Sequence, residues 1–148
     1  MAFKETLPLF AGRRVEIVIR ALQILFVRVP EVRIMFSTSN NQPEKLAAAI
    51  EAFANFADRP DRLGQMLERI AAAHVRARVS RAHLDIFAGA FMQAMEEILP
   101  AAIADGQSRR EWELLMQRVT ACLADRADQK YNAERLLERQ SQLGYLAS

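Results

Sequence analysis

Between Arg14 and Val29 the chain is apolar on nearly every side, with Val15, Ile17, Val18, Ile19, Leu22, Ile24, Leu25, Phe26 and Val27 in close succession. A helix with so little polar face has to be largely buried, and Pro30 ends or bends it. Ahead of it, Leu7-Pro8 through Gly12 predict a short, broken opening segment. Behind it, Val32, Met35 and Phe36 form a short apolar turn, and Ser37 to Asn41 is a loop by composition. Gln42-Pro43-Glu44 reads as a helix start, with proline at the first helical position and an acid in the first turn. That helix carries Leu46, Ala49, Ile50 and Phe53 on one face.

After a break at Asp58 to Asp61, steps of three and four through Leu63, Met66, Leu67, Ile70, Ala73, His74 and Ala77 predict a helix from about Asp61 to Ala77. Ser80 is a suitable N-cap for the next helix, Arg81 to about Ala104. That helix is marked by Leu84, Phe87, Phe91, Met95 and Ile98, and Pro100 predicts a kink in it. Asp105-Gly106 stops it, and Ser108-Arg-Arg-Glu111 has the pattern of a capping box. A long last helix then points Trp112, Leu115, Val119 and Cys122 or Leu123 inward and continues with weaker amphipathicity to about Leu143. Strand signals are nearly absent. Six or seven unequal helices with short corners favour an all-α fold of steeply crossing helices over four equal up-and-down ones.

Composition narrows the function more than the fold. At 148 residues one domain, 1–148, is expected. The apolar share of 51% and charged share of 26% are ordinary for a globular chain. A net charge of +2 exerts no strong pull toward nucleic acid or anionic lipid. The apolar run at Ile17 to Val29 is interrupted by Arg20, Gln23 and Arg28, so no membrane span is expected. No export signal is visible in Met1 to Thr6, and a cytoplasmic location is the expectation. Cys122 is the only cysteine, which excludes a disulfide framework and a cysteine-based metal site.

The candidate chemistry concentrates at His74. Paired catalytic carboxylates, glycine-rich phosphate loops and His-x-x-x-His spacings are missing. A zinc site needs three or four ligands, and the chain has two histidines, His74 and His83. His74 lies on an apolar helix face with no acid one turn away. It is either a core histidine bonded to a backbone carbonyl or a lone axial ligand to a haem iron, which asks for a neutral imidazole in an apolar slot.

The frame around it resembles the bacterial globins. The residues that carry the likeness are Phe26-x-x-x-Pro30-Glu31-Val32-Arg33-x-x-Phe36, then Gln42-Pro43-x-x-Leu46-Ala47, then Ala73-His74-x-x-x-x-Val79-x-x-x-His83, then Trp112. The chain is most similar to single-domain haemoglobins and to the globin module of flavohaemoglobins, from about Thr6 to Ala127. The resemblance implies a globin-like fold with a shortened first helix and an extended last helix. It implies haem b (iron protoporphyrin IX) with His74 as the proximal metal ligand and Phe36 stacked on the porphyrin. Gln42 would face the open coordination site, and Leu46 and Leu22 would line the same pocket. Val79 and Leu84 would line the haem on the proximal side, and Arg76 or Arg78 would reach a propionate. His83 reads as a surface or capping residue.

The departures from the family pattern carry information too. Relatives of the flavohaemoglobin type usually have Tyr where Leu22 and Leu84 stand, and Glu near Ala127. Without those polar partners His74 should be a plain, weakly activated imidazole. A reversible binder of a diatomic gas (oxygen, nitric oxide or carbon monoxide) fits best. A nitric oxide dioxygenase would need a separate reductase, since the chain has no flavin or nicotinamide fingerprint. A cofactor-free sensor or interaction domain of globin shape is the third reading. The tail from Lys130 to Ser148 either covers surface left bare by the short N-terminus or pairs with a second copy of the chain.

Overall fold

The computed structural model describes residues 2–35, 42–77 and 80–147. Seven helices appear among them, and no strands: α1 Phe3–Arg28, α2 Val32–Met35, α3 Gln42–Asn55, α4 Pro60–Ala77, α5 Arg81–Ile98, α6 Pro100–Ile103 and α7 Gly106–Ala147. The all-α architecture follows from the sequence pattern, and three local expectations are corrected.

The opening segment is helical where Pro8 predicted a broken one. Helix α1 starts at Phe3, and its break falls at Arg13, whose backbone leaves the helical region at φ −129° and ψ 16°. Pro8 is exposed and lacks an N–H to bond the Lys4 carbonyl. The turns around it are held by Thr6 and Phe10, both fully buried. At the break, the Arg13 guanidinium donates to the Ile98 carbonyl at 2.8 Å, so it covers the C-terminal end of α5. It also holds the Glu16 carboxylate through Nε and Nη2 at 3.0 and 2.8 Å. The stretch before Arg13 is the short first helix, and the near-continuous apolar run after it is the second.

Pro100 ends α5 rather than kinking it. Leu99 turns out of the helix at φ −132° and ψ 56°, and Pro100 opens the single turn α6. The start of α7 is the third correction. Asp105, not Ser108, caps it: the Asp105 carboxylate accepts from the Gln107 N–H at 2.9 Å. That bond holds the Asp105 carboxyl below its ordinary pKa. Ser108 lies inside the helix, buried, and its hydroxyl donates to the Ala102 carbonyl at 2.6 Å. Its short side chain lets α6 and α7 meet closely, and a capping role is excluded because its oxygen faces the preceding helix.

The core is built on α1, which packs chiefly on α5 and also on α3, while α7 packs on α4 and α5. An aromatic cluster joins the first helix to the last. Phe3 meets the Trp112 ring edge-on at 5.0 Å and Phe10 tilts against it at 5.2 Å. Phe91 closes the group from α5, 5.9 Å from Phe10 and 6.0 Å from Trp112. Stacking and edge contacts of this kind add to the burial of large rings. Charged pairs tie the same elements at the surface. Arg20 meets Glu97 at 2.6 and 3.3 Å, Arg14 pairs with Glu51, and Arg109 meets Glu96 at 3.3 Å. Among the described residues no helix is long and apolar enough to cross a membrane.

Much of the distal half of α7 is open to solvent: Asn132, Ala133 and residues 135–142 are exposed, Leu136 and Leu137 at 58% and 65%. The side chains of Leu143, Tyr145 and Leu146, expected to supply apolar area in the tail, lie outside the described residues. Cys122 is half-buried against the apolar core, as a small apolar group would be.

Candidate functional site

The sequence-derived site residues fall on four helices. Leu22 comes from the second half of α1 and is 5% exposed, with the half-buried Phe26 one turn beyond it. Leu46 stands half-buried one turn into α3, next to the fully buried Ala47. Leu84 stands in the first turn of α5 at 6% exposed, and Phe87 and Ala88 continue its face. Helix α1 packs on both α3 and α5. These leucines therefore stand on elements that meet around α1, on apolar faces.

Helix α4, which carries His74, behaves differently. It packs on α7, with Leu63 and Leu67 buried. Among the described residues it packs extensively against neither α3 nor α5. His74 is within α4, but its side chain lies outside the described residues, as do those of Gln42 and Arg76. Phe36, Arg78 and Val79 lie outside the described residues altogether.

The start of α5 is well defined. The Ser80 hydroxyl accepts from the His83 N–H at 3.2 Å, and His83 Nδ1 accepts from the Ser80 N–H at 3.4 Å. His83 thus closes a reciprocal cap, in keeping with its reading as a capping residue. Arg81 is engaged by α7: it pairs with Asp125 and lies 4.0 Å from Asp128, and these carboxylates raise its pKa. That pair ties the first turn of α5, immediately after the corner that follows His74, to the long last helix.

Among the described residues no three His, Cys, Asp or Glu side chains gather as a metal site would require. A haem asks for less, one or two protein ligands and apolar walls. The buried, apolar Leu22 and Leu84 suit such walls. A separate groove of about 640 Å³ opens elsewhere, between the start of α1, the end of α3 and the first turns of α7. Sequence reasoning missed it. The signal was Leu114 beside Leu115: two adjacent leucines cannot both face the core of one helix.

Seven unequal helices without strands among the described residues, with apolar Leu22, Leu46 and Leu84 on helices that meet around α1, are the features of a globin architecture. The Globin family model matches residues 19–123, and the chain belongs to the globin family. It is 37% identical over 97 residues to an uncharacterized globin-like protein of Aquifex aeolicus, covering 65% of this chain and 70% of that one. It is 26% identical over 124 residues to a flavohemoprotein of a Burkholderia species, covering 81% of this chain but 32% of the relative. The chain thus spans about a third of that flavohemoprotein. Among solved structures, a bacterial globin from Campylobacter jejuni superposes with a TM-score of 0.78 at 22% identity, over 88% of this chain and 94% of that one. An engineered carbene transferase, whose parent is assigned as a nitric oxide dioxygenase of Rhodothermus marinus, superposes at 0.81 with 25% identity, over 90% and 93% of the two chains.

Proposed function

We propose that this chain binds haem b through His74 and reversibly takes up a diatomic gas: oxygen, nitric oxide or carbon monoxide. The observation that carries the reading is the placement of the buried, apolar Leu22 and Leu84 on α1 and α5, two helices that pack on each other. Membership of the globin family supports it. When bound, haem would supply an iron able to take up a small gas molecule.

The residues of the chain do the rest. His74, on the α4 helix that packs on α7, would supply a neutral imidazole nitrogen to the iron. Phe36, Val79 and Leu84 would offer the group an apolar wall, and Arg76 or Arg78 would pair with a propionate. Leu22 and Leu46 would keep water from the ligand side. The Gln42 amide N–H would donate to a ligand whose outer atom carries partial negative charge. No Tyr hydroxyl competes with it, because Leu stands at position 22.

A second reading, nitric oxide dioxygenation, is favoured by the likeness to the flavohemoprotein and to the Rhodothermus protein. It needs a reductase as partner to supply electrons. Leu22 and Leu84 argue against it, since neither offers the hydrogen bond that would activate the ligand or the imidazole.

The test is an absorption spectrum of the protein mixed with haemin, oxidised, reduced and reduced under carbon monoxide. One equivalent bound, with a carbon monoxide shift reversed on removal of the gas, supports gas binding. A protein that stays colourless after gel filtration overturns it. Nitrate production with a generic reductase, faster than free haem achieves, would favour the second reading.

A further inference from the structure

The exposed side of α7 has two apolar features. Near its start, Leu114 is 46% exposed on the wall of the 640 Å³ groove, with Glu111 one turn before it and Arg118 one turn after. Near its end, Leu136 and Leu137 are more than half exposed, with the exposed Arg139 beside them. One feature is a groove and the other a ridge, on one continuous helix.

We infer that α7 is a dimerisation helix: the distal half of one copy lies antiparallel in the groove of a second copy, and the second copy reciprocates. The register follows from two independent pairings. Leu114 against Leu136 and Glu111 against Arg139 are both symmetric about position 125, so one two-fold axis serves both. The first is an apolar contact and the second an opposite-charge contact. Arg118 against Asn132 shares the same centre and sets a cation against an amide oxygen. The two copies of Asp125 meet at the axis, where each is already held by its own Arg81.

A contact from Glu111 to Arg139 runs along roughly 42 Å of helix at 1.5 Å per residue. It is isologous, as a two-fold dimer requires, and it closes on itself instead of propagating into fibres. The partner is thus a second copy of this chain. A foreign apolar helix would match the groove but not the shared centre of the two pairings.

The test is the solution mass of the full chain by sedimentation, with and without haemin, from micromolar to millimolar concentration. The expected result is a dimer whose dissociation constant rises at least about tenfold on Glu111→Arg or on Arg139→Glu, since each change places like charges at two symmetric sites. Combining the two substitutions should restore the dimer. Leu136→Glu with Leu137→Glu, on an exposed helix far from the core, should give monomers with unchanged helicity. A wild-type chain that stays monomeric to millimolar concentration overturns the inference. So does a dimer indifferent to the paired leucines, or a charge double variant no tighter than its parents. The readout is mass, so failure here leaves the haem reading standing, and the reverse.

Discussion

The Trp112 indole N–H donates to the Thr6 hydroxyl at 2.9 Å, inside the core and across 106 positions of chain. Thr6 in turn donates to the Phe3 carbonyl at 2.5 Å. The largest side chain of α7 is thereby satisfied by the first turns of α1, and the short opening segment is fastened to the last helix. Replacing Thr6 by Val keeps the volume and removes the acceptor. The buried indole N–H is then orphaned, at a cost of about 1–3 kcal/mol. Thr6→Ser should restore most of it. Denaturant midpoints for the three proteins check this, and equal midpoints for wild type and Thr6→Val would show that the indole finds another partner.

That contact also marks where the sequence was legible and where it was not. The buried second half of α1, the start of α3 near Pro43, and the Ser80 cap all announce themselves, because continuous apolarity, proline at a first turn and a hydroxyl before a helix are local signals. The break at Arg13 is not local. It depends on a guanidinium reaching the Ile98 carbonyl of a helix far along the chain. Ser108 misled for a related reason: its pattern fits a cap, but Asp105 stands three residues earlier and Ser108 is needed against Ala102. At the candidate site, the apolar character of Leu22 and Leu84 could be read from the sequence, whereas the packing of α4 on α7 is a property of the whole fold and could not.

The cap at α7 is testable by itself. Asp105→Ala should lower the melting temperature, since an N-cap side chain is lost, while Asp105→Asn should lower it much less. Thermal melts distinguish them. If both variants melt alike, the Gln107 bond contributes nothing.

Acid stability should depend in part on Glu97. The Arg20 guanidinium, which donates to it, holds its carboxyl below the usual carboxylate value. A group whose folded pKa is depressed contributes stability that is present above its unfolded pKa and lost as pH falls through the folded one. Glu97→Gln should therefore flatten the fall of stability on the acid side and leave the neutral-to-alkaline profile unchanged in shape. Because both side chains are well exposed, the contribution should shrink as salt is added. An acid limb of the same slope in the variant would contradict the assignment.

Ligand release should report on Gln42 and Leu22. Losing one hydrogen bond of roughly 0.5–1.5 kcal/mol predicts that Gln42→Leu releases oxygen severalfold faster from the haem-loaded protein. Leu22→Tyr introduces a hydroxyl on the same side and should slow release. Stopped-flow traces decide both. An unchanged rate in Gln42→Leu would mean that the amide does not meet the ligand, and an unchanged rate in Leu22→Tyr would move the second half of α1 out of the pocket.

The role given to His74 is tested most directly by titrating haemin into the wild-type chain and into His74→Ala while following the visible spectrum, with circular dichroism confirming that the variant stays helical. The wild type should saturate at one equivalent with the bands of a histidine-ligated haem, and the variant should lose those bands and bind far more weakly. A folded His74→Ala protein that takes up haemin with the same spectrum and the same affinity would contradict the account.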